Sequence, residues 1–149
     1  MKKKLKQLLV MLIVVGMLLP MFRFEANAMS YSGSSSYKSG KYYKQLTNLS
    51  LTGDQRTDIV NIAKSQVGYQ EGSPSSQLSG TSYGGKNYTE YGRWYGLQDM
   101  WCAMFVSWAF AQAGVKCAGL PGAYCPTMLA AGKKAKATIS VDKARPGDV

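Results

Sequence analysis

The chain has no histidine among its 149 residues, and only 8 acidic side chains against 18 basic ones. Without an imidazole, a Ser/His/Asp triad, a Cys/His pair complete within the chain and a histidine-ligated zinc site are all excluded, because each needs that ring to take a proton or bind metal. The carboxylates form no cluster with metal-ligand spacing, so the sequence implies no metal and no cofactor. Nucleic-acid motifs are also missing, and Lys133, Lys134 and Lys136 read as a solvated face rather than a phosphate-binding stripe. The length leaves room for one ordinary domain, since single cores span roughly 100 to 200 residues.

What is present begins with an apolar run. Lys2, Lys3, Lys4 and Lys6 precede an uncharged stretch over residues 8–22, and Ala26, Asn27 and Ala28 form a small-residue cleavage pattern. Together these are the three parts of an export signal over residues 1–28. Pro20 and Arg23 interrupt the run short of the about 20 apolar residues that a membrane span needs. The expected product is secreted or cell-wall associated, and a membrane anchor through residues 8–22 is the alternative if the signal is retained. Beyond residue 28 there are 13 basic and 7 acidic side chains, a net charge of +6. That charge draws an exported protein toward an anionic cell wall or lipid head groups. Export also places Cys102, Cys117 and Cys125 where disulfides persist, and an odd count leaves at least one thiol over.

Residues 29–50 are rich in Ser, Gly, Tyr and Lys and have no hydrophobic period. Composition predicts a flexible linker there, for want of apolar surface to offset the entropy of ordering. A domain is expected from about residue 51. Thr52 and Gln55 have the spacing of a capping box, Asp54 and Asp58 suit the positive end of a helix dipole, and Ile59, Ala63 and Val67 fall on one stripe that Gly68 stops. Residues 69–98 form a long irregular stretch. Within it, Tyr91, Trp94 and Tyr95 stand beside glycines, a setting that suits stacking on sugar rings or peptides and equally suits covering the edge of a core. With Trp101 they are the candidate substrate-binding residues. Ala137–Val141 is the one short alternating run that reads as a strand.

A second helix is predicted over Trp101–Ala113, with Gly114 as its stop. Only Ser107 and Gln112 are polar among its interior positions, so it should lie inside the domain. Cys102 falls in its first turn, where unsatisfied backbone N–H groups favour a thiolate. Cys117 and Cys125 flank a Gly-Leu-Pro-Gly turn, which allows them to pair and leave Cys102 free. Pairing of Cys102 with either one stays open. A Cys102 that is simply a small buried hydrophobe is the plainer alternative.

The succession AKSQVGYQEG (63–72), NYTEYGRWYG (87–96), WCAMFVSW (101–108), QAGV (112–115) and RPGDV (145–149) resembles the CHAP family. These are the cysteine, histidine-dependent amidohydrolases and peptidases of bacterial cell walls, related to the NlpC-like peptidases. The resemblance runs from about residue 51 to the end. It implies an α+β, papain-like fold in which a central helix packs on an antiparallel sheet, with most of that sheet missing from this chain. Cys102 matches the family nucleophile. The Pro146, Gly147, Asp148 turn looks like the lead-in to the first main strand, beyond which the family keeps its general-base histidine. Residues 51–149 are then expected to be the amino-terminal part of such a domain. At position 109 stands alanine, where relatives often carry a second helix cysteine, so no disulfide carries over by analogy.

The function that the resemblance implies is an exported peptidoglycan hydrolase, an amidase or endopeptidase, acting on peptidoglycan or its stem peptides through Cys102 in the parent protein. Attack on an amide carbonyl needs a thiolate, a base that later protonates the leaving amine, and donors for the oxyanion. Glu71 and Asp99 are poor acids for an amine leaving group near neutral pH, so the chain alone is expected to be inactive. The alternative is a non-catalytic secreted protein that binds the wall through its aromatic loop and basic surface.

Overall fold

A computed structural model describes residues 33–149. The export signal expected over 1–28 lies outside the described residues. Six α-helices occur among those described: α1 (Ser35–Ser39), α2 (Lys41–Thr47), α3 (Gln55–Lys64), α4 (Glu90–Tyr95), α5 (Cys102–Gln112) and α6 (Cys125–Lys134), followed by a single 3-10 turn over Val141–Lys143. No strand is present among the described residues, which hold one isolated antiparallel bridge between Gly72 and Tyr88. The regular structure is therefore helical, and the sheet expected against the central helix is not found there. The strand expected at Ala137–Val141 is corrected too: these residues are exposed and irregular and lead into the 3-10 turn. A lone alternating run without a paired neighbour has no ladder to join.

The reading of 29–50 as a linker is corrected from residue 33 onward. Tyr37, Tyr42 and Leu46 on α1 and α2 are fully buried, and Ser34 donates from its N–H and hydroxyl to the Glu90 carboxylate at 2.9 and 2.7 Å. Composition hid this because tyrosine counts as half polar, yet its ring buries like phenylalanine once the hydroxyl has a partner. Gln66 supplies two of those partners. Its Oε1 accepts from the Tyr37 and Tyr91 hydroxyls at 2.8 and 3.1 Å, while its Nε2 donates to the Tyr42 carbonyl and the Ser65 hydroxyl at 3.2 and 2.8 Å. All four hydrogen-bonding positions of one buried amide are thus used, and they join α1, α2, α4 and the end of α3.

The α3 start differs in detail from the expected capping box. Asp54 is the N-cap and accepts from the Thr57 N–H at 2.8 Å, the role for which aspartate is among the strongest residues. Thr52 instead donates from its N–H and hydroxyl to Asp58 at 2.7 and 2.8 Å. The helix ends at Lys64, so the tight turns that follow carry Val67 off the stripe and leave it 76% exposed. Ile59 and Ile62 form the buried face. Gly68 does lie at φ +87°, but it is not the stop expected of it: the helix has already ended at Lys64 with Ser65 as a right-handed C-cap, and Gly68 closes the turns that follow.

Helix α5 follows its reading closely. It begins after Trp101, buries Ala103, Met104, Ser107, Trp108, Ala109, Phe110 and Gln112, and gives way at Gly114, φ +68°. Its partner layer is made by α3, α4 and a set of aromatic rings. Tyr91 stands 5.0 Å from Trp108, 4.8 Å from Phe105 and 4.9 Å from Tyr69, which in turn meets Tyr42 at 5.4 Å. Beyond Gly114 the chain lies on the outside. Helix α6 buries none of its residues. Ala123 of that region packs on the core edge, and two sets of polar contacts tie the region down: the Ser107 hydroxyl donates to the Gly122 carbonyl at 2.7 Å and accepts its N–H at 2.8 Å, and Arg56 of α3 pairs with Asp148 at 2.6 Å. No described helix is long and apolar enough to cross a membrane.

Candidate functional site

The short helix α4 and the loop after it set the approach to α5. Thr89 caps α4 by accepting the Gly92 N–H at 3.0 Å, and the left-handed Gly96 turns the chain back toward Trp101. Trp101 is the N-cap of α5 and makes no side-chain bond to its first turn. The first backbone bond of the helix runs from the Phe105 N–H to the Trp101 carbonyl at 2.8 Å. The N–H groups of the residues before Phe105 are the donors that a helix start leaves over. Cys102 stands first in that turn, and its thiol is free and exposed. The arrangement can therefore offer a nucleophilic sulfur beside backbone donors able to meet a developing oxyanion.

The four aromatic candidates do not form one surface. Tyr91 is fully buried and bonded to Gln66, so a direct substrate contact by Tyr91 is ruled out and it belongs to the core. Burial pushes its hydroxyl, and that of Tyr69, well above the ordinary phenol range, so both remain neutral hydrogen-bond donors. Trp94 is half-buried against the core edge, and Tyr95, 37% exposed, lies beside it at 6.4 Å. Trp101 is half-buried, with its ring 5.5 Å from Tyr91. A groove of about 290 Å³ is lined among others by Leu78, Asn87, Thr89, Arg93, Leu97 and Gln98. Neither Cys102 nor any of the four aromatic candidates lines it.

One contact to this site escapes the sequence reading. Glu71, set aside there as too poor an acid for the leaving amine, is buried, and its Oε2 accepts the Trp101 indole N–H at 3.0 Å and the Asn87 N–H at 3.1 Å. The only signal in the sequence is that Glu71 is the one acid between Asp58 and Glu90. Glu90 is likewise buried and pairs with Arg93 at 3.0 Å. Its anion is spent on holding Arg93 and the Ser34 end of α1, away from any reacting atom. Cys117 and Cys125 are free and exposed like Cys102, so the pairing between them is not formed. Among the described residues no group of three or more Cys, Asp and Glu could hold a metal ion. Compared with protein-family profiles, with characterised proteins and with solved structures, the chain matches none.

Proposed function

We propose that the chain carries the nucleophile-bearing part of an exported, CHAP-like peptidoglycan hydrolase, in which Cys102 attacks an amide or peptide carbonyl of the wall. The observation that carries this reading is the setting of Cys102: an exposed cysteine on the first residue of a mostly buried helix whose start has no side-chain cap. That setting leaves Cys102 reachable and its own N–H without a side-chain cap, and acyl transfer needs both a nucleophile and such a donor. The Cys102 thiolate would form a thioester with the acyl group, and the leaving amine would take a proton from an imidazolium. Water would then hydrolyse the thioester and restore the thiol. Residues 1–149 contain no histidine, so the reading assigns the base, and the antiparallel sheet that would carry it, to polypeptide outside them. Rings at the loop edge, Trp94, Tyr95 and Trp101, remain the side chains proposed to border the substrate. Export and a net charge of +6 beyond residue 28 fit an anionic wall as its surroundings.

Digestion of purified peptidoglycan tests the reading. The polypeptide of the full reading frame should release new amino groups without new reducing ends, and Cys102→Ala should reduce this by at least about 10³-fold, as loss of a covalent nucleophile does. The 149-residue chain alone should release none. Hydrolysis that survives Cys102→Ala, or a reading frame that supplies no histidine, would overturn the proposal. The non-catalytic wall-binding alternative is weakened by the burial of Tyr91, which removes one of its contacts.

A further inference from the structure

A helix that presents a nucleophile from its first residue needs that residue held still, and α5 lacks the usual device. Its N-cap, Trp101, sits at φ −102° and ψ 7° with no side-chain bond to the turn that follows. What holds Trp101 comes from elsewhere in the chain. Its indole N–H donates to Glu71 Oε2 at 3.0 Å, and its ring is walled by Tyr91 and Tyr69 at centroid distances of 5.5 and 6.5 Å. Glu71 is itself fixed. Its carbonyl accepts the Gly84 N–H at 2.8 Å, its Oε2 also accepts the Asn87 N–H at 3.1 Å, and the next residue, Gly72, bonds to the Tyr88 carbonyl at 2.8 Å.

A neutral acceptor would satisfy an indole N–H as well as a carboxylate does, and a buried anion costs more to desolvate. The Glu71 carboxylate bonds the N-cap residue of α5, at the helix end that favours an anion. From this geometry we infer that Glu71 is a positioning residue for Cys102, acting through the Trp101 indole to fix the start of α5. The inference rests on Cys102 being the nucleophile proposed above, and it concerns geometry, since Glu71 touches no reacting atom.

Hydrogen bond and charge pull in opposite directions at this position, which makes the inference testable. Losing the hydrogen bond loosens the first-turn N–H groups that favour a thiolate, whereas losing the negative charge alone favours it. The probe is iodoacetamide, used on the full chain carrying Cys117→Ser and Cys125→Ser so that Cys102 is the only thiol. The rate of alkylation is followed against pH. Trp101→Phe, which loses the bond and keeps the charge, should slow alkylation at pH 7 by roughly 3- to 10-fold, and Glu71→Ala, which loses both, should slow it less. The double variant should be no slower than either single one, because both remove the same bond. Glu71→Gln keeps the acceptor and loses the charge, so it should react at least as fast as the parent. Asp99→Asn should do the same, since Asp99, the other acid beside the helix start, is exposed and bonds only the Met100 N–H.

Unchanged or faster alkylation in Trp101→Phe, or a Glu71→Gln variant as slow as Glu71→Ala, would overturn the inference. If Glu71→Ala does not fold, Trp101→Phe decides alone, because it keeps the ring. Failure here leaves the hydrolase reading standing if wall cleavage still depends on Cys102. Cleavage that ignores Cys102 would defeat that reading whatever the alkylation rates show.

Discussion

Helices α5 and α6 are almost the same length, 11 and 10 residues, and each begins with a cysteine, yet they live in different worlds. Seven residues of α5 are buried and none of α6. The same division runs through the described chain, in which every buried hydrophobic side chain lies before Gly114. What separates the two regions is supply of partners. Around α5 stand the large rings of Tyr37, Tyr42, Tyr69 and Tyr91; the hydroxyls of Tyr37 and Tyr91 donate to Gln66 and that of Tyr69 to the Leu78 carbonyl. Around α6 stand lysines and small residues, with Leu129 and Ile139 more than half exposed.

The strongest way to break this comparison is to remove the ring supply. A chain beginning at residue 51 lacks Tyr37, Tyr42 and Leu46, so residues 29–149 should melt cooperatively by circular dichroism and the shorter chain should not. A sharp transition in the shorter chain would show that the amino-terminal helices are dispensable. Next in size are single truncations on either side. Trp108→Ala should cost about 3 to 5 kcal/mol in denaturant unfolding, as large core truncations do, while Leu129→Ala should stay within about 0.5 kcal/mol. Equal costs would erase the contrast between the regions.

Smaller effects test the two attachments of the outer region. Ser107→Ala removes both bonds to Gly122 and leaves its N–H and C=O without those partners, so about 1 to 2 kcal/mol should be lost. Hydrogen exchange at Gly122 should rise more than exchange in α5. The smallest effect belongs to Asp148. The Arg145 N–H and then the Arg56 guanidinium hold its carboxyl below the ordinary value of 3.8. Its attachment is therefore complete above that value and is lost as pH falls through the lowered one. Arg56→Ala should loosen residues 145–148 at neutral pH in the way acid loosens the parent, read by the same exchange experiment, and leave the core melt almost unmoved.

Much of the inner region was legible in residues alone. The limits of α5 followed from its apolar run and from Gly114, and the positive φ of Gly68 followed from glycine's freedom, although α3 ends earlier, at Lys64. Helices α1 and α2 were not legible, because Tyr37 and Tyr42 look like decoration in a Ser/Gly-rich stretch until Gln66, more than twenty residues away, gives Tyr37 its hydroxyl partner and holds the Tyr42 carbonyl. The capping box failed by competition: Asp54 was the better cap, which left Thr52 to Asp58. Helix α6 was missed since Cys125, Pro126 and a Lys-rich end give no apolar stripe. At the candidate site, Cys102 was readable from its place at a helix start. The bond from Glu71 to Trp101 spans 30 positions and leaves no local trace.

The central claim is that Cys102 is chemically set apart by its place at the start of α5, and the other cysteine that starts a helix provides the direct control. Cys125 shares the first-turn position but is followed by Pro126, which lacks an N–H, on a helix without a buried face. Limited alkylation of the intact chain at pH 7, with each cysteine peptide quantified by mass spectrometry, compares the two in one tube. The account predicts that Cys102 is modified roughly 3-fold or more faster than Cys125, because backbone donors stand beside its sulfur and Pro126 removes one beside Cys125. Equal labelling, or faster labelling of Cys125, would contradict it.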